Sequence, residues 1–177
     1  MTLPFFTIGH SNHSLDVFVE LLQAANIATL VDIRTIPKSR ANPQFNEDAL
    51  AESLSGFDIG YLRIGELGGL RGKSKSIARE ANGFWENDSF HNYADYAMGD
   101  QFSQGLDQLI SIGHKRRSAI MCSEAVWWRC HRRIVADYLL ARGEDVRHIM
   151  GAGRIDPATM TAGAIVQPNR TIRYPGE

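Results

Sequence analysis

The chain has 177 residues, 44% hydrophobic and 22% charged, which is enough for one complete hydrophobic core and too little to expect two. Nineteen basic against 20 acidic side chains leave a formal charge of -1, so the charge balance demands no polyanionic partner, and a nucleic-acid role would have to come from a local basic patch. The start, Met1-Thr2-Leu3-Pro4-Phe5-Phe6, has no basic leader and no long apolar run, and two cysteines are too few for a disulfide scaffold, so the expectation is a cytoplasmic protein with reduced thiols and no membrane segment.

In chain order, Phe5-Phe6-Thr7-Ile8-Gly9 reads as a first strand closed by glycine. Ser14 is placed to cap a helix with Leu15, Phe18, Val19 and Leu22 at helical spacing. Thr29-Leu30-Val31-Asp32-Ile33 is apolar enough for a strand buried on both faces. Pro37 and Pro43 impose a loop, and Asn46 with Glu47 opens a helix to about Ser55. Residues 59–64 predict a third strand. Glu66 to Ser89, with its scattered glycines, predicts a long irregular loop of the kind that is usually functional or mobile. Helices are expected at 93–98 and 102–112, a fourth strand at 118–122, a strong helix at 126–141 stopped by Gly143, and a fifth strand at 145–149.

Strands alternating with helices predict a three-layer α/β domain over residues 1–150, with a mainly parallel, Rossmann-like sheet flanked by helices. Residues 151–177, rich in Gly, Pro and Thr, are expected to form a tail of little structure, packed on the domain or extending from it. The expected strand order is 3-2-1-4-5. In such sheets ligands bind beyond the carboxyl ends of the strands, where the order reverses. Here those ends carry Gly9-His10-Ser11, Asp32-Ile33-Arg34, Gly65-Glu66 and Cys122-Ser123-Glu124.

Cys122 ends a strand just before a helix, the place for a nucleophile, although free cysteine is also a common space-filler in cores. A phosphatase-like loop is excluded, because six residues including Glu124 separate Cys122 from Arg129 and an acidic side chain defeats an anion cradle. Cys130-His131-Arg132-Arg133 falls inside the predicted helix. Helical spacing turns His131 toward the apolar face with Val135 and Tyr138, where it needs a partner such as Glu124 or Asp32. Cys122, Cys130 and His131, with or without His10, have chemistry that suits zinc; their spacing matches no standard zinc pattern, so a metal-binding Cys/His site stands as a further alternative and no residue is assigned as a metal ligand. A Cys122–Cys130 bridge is not expected either, since a strand end and a second helical turn rarely meet the Cα limits of a disulfide.

Arg34, Lys38 and Arg40 follow the second strand, and Arg71, Lys73 and Lys75 lie in the glycine-rich loop, as anion ligands or as solvated charge. Asp32 and Arg34 point to the same side of a strand end, to pair with each other or to position a ligand. Glu66 precedes Leu67-Gly68-Gly69, which permits close backbone approach. Trp85, Trp127 and Trp128 suit base or sugar stacking, or a core.

These motifs occur together in one order: Thr7-Ile8-Gly9-His10-Ser11, Val31-Asp32-Ile33-Arg34 with Pro37, Ser39 and Arg40, Glu66-Leu67-Gly68-Gly69, Met121-Cys122-Ser123-Glu124 and Cys130-His131-Arg132-Arg133. The series resembles the bacterial domain-of-unknown-function family numbered 488, from Thr7 to about Ile149. Family members usually read Cys-Ala-Glu where this chain has Cys122-Ser123-Glu124, which leaves the thiol and carboxylate in place. The resemblance implies an α/β fold and a motif-lined pocket, and no particular activity.

Two functional classes follow from the residues. In one, an enzyme acts on a small or nucleotide-like anionic substrate, with Cys122 as nucleophile, His131 or His10 as base, Arg34 or Arg132 as electrostatic stabiliser, and Glu124, Ser11, Asp32, Glu66 and Arg71 lining the site. In the other, the same arginines bind a nucleotide or nucleic acid without catalysis. Neither a Walker nor a dinucleotide glycine pattern is present, and no cofactor is expected. If Arg34, Arg71 and Arg132 converge, they form an oxyanion site; if Asp32, Glu66 and Glu124 neutralise them, the constellation is structural.

Overall fold

The computed structural model describes residues 2–176. Five parallel strands carry the core of the sheet: β1 (Phe5–Gly9), β2 (Thr29–Asp32), β3 (Gly60–Arg63), β4 (Ser118–Cys122) and β5 (Val146–Gly151). A sixth, β6 (Arg154–Pro157), pairs antiparallel with β5 at the edge. Helix α1 (Leu15–Ala24) links β1 to β2, and α2 (Glu47–Ser55) links β2 to β3. The pair α3 (Asp88–Ala97) and α4 (Asp100–Lys115) links β3 to β4, and α5 (Arg132–Ala141) links β4 to β5.

Alternation along each strand divides the core in two, because successive side chains point to opposite faces. Phe6, Ile8, Leu30 and Met121 pack against Phe18 and Leu22 of α1 and Leu50 and Leu54 of α2. Phe5, Val31 and Ile120 pack on the other face against Tyr93, Leu106, Leu109 and Val135 from α3, α4 and α5. The expected three-layer, mainly parallel architecture is what forms. Ser14 caps α1, its hydroxyl accepting from Val17 N at 3.2 Å. Gly143 follows α5 with φ +83°, a left-handed conformation that glycine adopts without a Cβ clash.

The strand order is β3-β2-β4-β1-β5-β6 and corrects the expected 3-2-1-4-5. Both orders bury β1 and β4 on two faces, so local pattern cannot separate them. The choice is made by long-range pairing, including Ala28 N and Thr29 N donating to Arg117 O just before β4. The correction matters for the site. The chain leaves β1 toward β2 and leaves β4 toward β5, in opposite directions across the sheet, so the reversal falls between β1 and β4. Their register aligns Gly9 with Cys122 at the carboxyl end.

Residues 151–176 carry more structure than expected. Beyond β6, a hairpin of β7 (Ile165–Val166) and β8 (Ile172–Arg173) forms, and Ile172 and Tyr174 are fully buried in the α3/α5 core. Asp137 of α5 holds this segment, accepting from Thr161 N at 2.9 Å and from the Tyr174 hydroxyl at 2.8 Å. Only isolated apolar positions anchor the segment, and these leave no periodic trace. Replacing Tyr174 with Phe should cost about 1–3 kcal/mol, because buried Asp137 loses a donor. Tyr174→Ala should cost about 3–5 kcal/mol by adding a cavity. Urea unfolding of the two variants checks the order and the gap.

Candidate functional site

The site is built where β1 and β4 end side by side. The strand pairing continues past them, with His10 N donating to Cys122 O at 2.9 Å and Ser11 N to Ser123 O at 3.0 Å. The chain after Cys122 then folds across Gly9 so closely that a Cβ there would overlap the Glu124 carbonyl. A short 3-10 turn follows at Trp127–Arg129, and α5 starts only at Arg132, with His131 at its N-cap. The expected helix over 126–141 is therefore shorter, and Cys130 and His131 precede it. The Trp127 indole stacks on His148 with ring centroids 4.7 Å apart, pinning the turn to β5. This detour returns the chain to the end of β4 and brings Cys130 onto Cys122.

The two sulfurs are in bonding contact, although the Cα atoms stand 7.3 Å apart, beyond the roughly 6.8 Å that bounds most bridges. The spacing argument against a bridge thus holds at the Cα atoms and fails at the sulfurs, because Cys130 sits in the turn and not in a second helical turn.

Arg132 is fully buried beneath this pair. Its Nη1 donates to Cys122 Sγ at 2.7 Å and to Glu124 O at 2.7 Å, Nη2 to Ala125 O at 3.3 Å, and Nε to Thr7 Oγ1 at 3.2 Å. The guanidinium can only donate, so Thr7 Oγ1 accepts from it, and the same hydroxyl shares a hydrogen bond with His148 Nδ1 at 2.6 Å. No carboxylate lies within ion-pair distance of Arg132 among the described residues. Burial lowers its pKa to about 10, with the more distant Glu124 charge opposing the shift. Among the described residues the one contacting side chain able to carry a negative charge is Cys122, once its bond to Cys130 is reduced.

His131 turns toward the sheet as its spacing predicted, but its partner is the Ile33 carbonyl, 2.8 Å from Nε2, and not Glu124 or Asp32. A carbonyl only accepts, so Nε2 carries the proton and the bare Nδ1 faces Cys130 Sγ at 3.5 Å. Burial holds the imidazole pKa down at about 4, with the Ile33 bond opposing and the Arg132 charge adding to the shift. The neutral imidazole thus presents Nδ1 to the bridged Cys130 sulfur, and would accept from a Cys130 thiol once the bridge is reduced. Gly69 leaves room for the ring; a Cβ there would meet Nδ1 at 2.5 Å.

The Asp32 and Arg34 side chains pair with each other. Arg34 Nε donates to Asp32 Oδ1 at 2.9 Å and Nη2 to Oδ2 at 2.7 Å, while Nη2 also reaches Phe45 O at 2.7 Å. The Tyr61 hydroxyl completes the pair, donating to Asp32 Oδ2 at 2.5 Å. His10 stacks on Phe45 at 4.4 Å, donates from Nδ1 to Ser11 O at 2.8 Å, and presents Nε2 to Arg34 Nη1 at 3.4 Å. Burial is the main cause of its lowered pKa. Arg71 is held elsewhere, with Nε and Nη2 donating to Gly68 O and Gly65 O at 3.0 and 2.7 Å and its guanidinium lying 3.9 Å from the Tyr96 ring centre. Glu66 is exposed, and its carbonyl accepts from Tyr96. The expected convergence of Arg34, Arg71 and Arg132 on one anion therefore does not form: one is paired, one braces the glycine loop, and one lies beneath the cysteines.

A cavity of about 350 Å³ opens above the cysteines, within the range of small-molecule sites. Cys122, Cys130, His131 and Glu124 line it together with Arg34, Lys38 and Arg129. Ser11, His10, Glu66, Arg71 and Arg132 are not on its wall. Sequence reasoning did not single out Thr7, His148 or Arg129 as site residues; Thr7, inside an apolar strand, was the one available signal, since a buried hydroxyl needs partners. Among the described residues no three His, Cys, Asp or Glu side chains converge to hold a metal ion, and no helix is long and apolar enough to cross a membrane.

The profile of the family described as Domain of unknown function DUF488 matches residues 14–139, well over half of the chain. The chain belongs to this family. No curated protein and no solved structure matches it. The matched span contains both cysteines, Glu124, His131, Arg132 and the Asp32–Arg34 pair, while Thr7, His10 and His148 fall outside it.

His148 is also held neutral, its pKa lowered to about 4 chiefly by burial and then by Arg132. Below pH 6.5 the unfolded chain protonates both His131 and His148, whereas the folded protein does not. Stability is therefore complete above that pH and falls on acidification toward pH 4, by up to about 1.4 kcal/mol per pH unit per histidine. An NMR titration should show both imidazoles still neutral at pH 5, with urea stability lower there than at pH 7. Midpoints near 6.5 would contradict the burial argument.

Proposed function

We propose that the protein is a thiol-dependent enzyme that binds a small anionic substrate at the carboxyl end of its sheet and attacks it with Cys122. The observation that carries this reading is the Arg132 guanidinium, buried without a carboxylate partner among the described residues and donating to Cys122 Sγ at 2.7 Å. An isolated buried charge costs several kcal/mol, so a thiolate at Cys122 is the state that offsets it. A charge-assisted hydrogen bond to the sulfur favours the nucleophilic form. Cys122 itself is 2% exposed, so its reagent must enter through the cavity.

Support for an anionic substrate comes from the rim. Lys38 and Arg129 line the cavity and make no ion pair among the described residues, whereas Asp32 already neutralises Arg34. Glu124 supplies one opposing charge. The surplus is a single positive charge, which suits a small carboxylate or phosphate better than a long polyanion. His10 neither lines the cavity nor contacts a cysteine, and His131 is too weak a base near neutrality to draw a proton from a thiol, so Cys122 depends on Arg132 for its anionic form.

Competitive alkylation of the reduced protein tests both parts. Iodoacetate should label Cys122 first, and its rate relative to neutral iodoacetamide should exceed the same ratio for glutathione by about tenfold, the effect of one partly screened charge. Inorganic phosphate should protect the thiol. Combining Lys38→Ala with Arg129→Ala should return the ratio to that of glutathione while leaving the iodoacetamide rate alone. Preferential labelling of Cys130 would remove Cys122 as nucleophile. An unchanged ratio with no phosphate protection would remove the anionic substrate.

A further inference from the structure

We propose that Cys122 and Cys130 are a redox pair that reduces small hydroperoxides, with Cys122 as the attacking thiolate and Cys130 as the resolving thiol. This rests on the reading of Cys122 as nucleophile and is independent of the anionic rim. Three features carry it. The sulfurs meet although the residues come from a strand end and a separate turn, so a transient product on one sulfur is within reach of the other. Their surroundings are unlike: Cys122 faces the Arg132 guanidinium at 2.7 Å, whereas Cys130 faces the bare Nδ1 of His131 at 3.5 Å and accepts from Arg132 N at 3.4 Å. One sulfur is set up as a thiolate and the other as a thiol donating to imidazole. Finally, both are nearly fully buried, at 2% and 4% exposure, yet both line the cavity. A peroxide can reach them, while a protein thiol cannot without opening the site.

In the first step the Cys122 thiolate attacks the terminal peroxide oxygen. An S–O bond forms, the O–O bond breaks, and the departing oxygen takes a proton from solvent, giving Cys122 sulfenic acid and an alcohol, or water from hydrogen peroxide. In the second, Cys130 Sγ attacks the sulfenic sulfur. The S–S bond forms, the S–O bond breaks, and the hydroxide leaves as water with the Cys130 proton. The sulfur pair is oxidised by two electrons and the peroxide reduced by two. A small dithiol then closes the cycle by exchange, becoming a disulfide itself. Bridging also takes the negative charge away from Cys122 and leaves the buried guanidinium unbalanced. The oxidised form is thereby disfavoured relative to the dithiol, which makes the bridge a readily reduced one.

The test uses the full chain, reduced and freed of reductant, with one molar equivalent of hydrogen peroxide, followed by acid quench, blocking with N-ethylmaleimide and intact mass measurement. The expected product is two hydrogens lighter with no free thiol, formed at least about tenfold faster than glutathione is oxidised at the same pH. Cys130→Ser should consume peroxide at a similar rate but stop at a Cys122 sulfenic acid that dimedone traps, whereas Cys122→Ser should react no faster than glutathione. Arg132→Lys keeps a buried cation and should slow the first step while still yielding the bridge. Oxidation no faster than glutathione overturns the inference, as does sulfinic acid at Cys122 of the unsubstituted protein, or fast reaction in Cys122→Ser. Rapid alkylation of Cys122 alongside slow peroxide reaction would sink the redox role alone. Slow alkylation as well would sink the nucleophile reading with it.

Discussion

A guanidinium with no exposed surface and no carboxylate against it organises this end of the molecule. Arg132 ties the middle of β1 through Thr7, the end of β4 through Cys122, and the connecting loop through the Glu124 and Ala125 carbonyls. A planar fork with five donors satisfies partners in several directions at once, which a lysine ammonium does less well. The loop must lie flat over Gly9 for its carbonyls to reach the fork, and there is no room for a side chain beneath it. The same closure returns the turn at Trp127–Arg129 to the sheet and delivers Cys130. Geometry and charge are thus one constraint: the cation that holds the loop is also the cation that needs an anion at Cys122.

The second buried cation shows the contrasting solution. Arg34 meets Asp32 through two parallel hydrogen bonds, and Tyr61 and the Phe45 carbonyl take up remaining valences. Such a closed pair contributes little net stability, because desolvation offsets the Coulomb attraction, but breaking it by removing one partner is costly. Its consequence here is rigidity. Arg34, held by Asp32 and backed by the stacked His10, forms a fixed part of the cavity wall, while Lys38 and Arg129 on the same wall are exposed. The Tyr61 hydroxyl, pushed well above its usual pKa first by burial and then by Asp32, stays a donor throughout the working pH range.

Topology explains why the chemistry gathers between β1 and β4. Connections depart from these neighbouring strands in opposite directions, and the strand ends there carry Gly9-His10 and Cys122. The α3/α4 segment covers the sheet to one side, with Tyr93 packed edge-on against His131 at 5.0 Å. The C-terminal segment braces the middle of α5 through Asp137, so the helix that presents Arg132 is held there as well as at its start.

Much of this was readable along the chain. Buried strands announce themselves as short apolar runs, Ser14 and Gly143 mark a helix start and stop, Cys122 and Glu124 stand out at a strand end, and His131 and Arg132 stand out within a helical pattern, since these are local signals, although the helix itself starts later than that pattern suggests. Thr7 was legible only as a hydroxyl inside an apolar strand. Other features were not local. The neighbour of β2 depends on which of two equally buried strands fits, and Asn82, Thr161 and Tyr174 are anchored by partners far away in sequence. The direction of each arginine was also invisible: Arg34, Arg71 and Arg132 look alike as residues, yet one finds a carboxylate, one finds glycine carbonyls and one finds a sulfur. Sequence determined which side chains arrive at the carboxyl end of the sheet, because strand and helix periods place them there. Only tertiary structure decided which charges are cancelled and which are left to act, because a long flexible side chain takes its partner from three-dimensional packing and not from its neighbours in the chain.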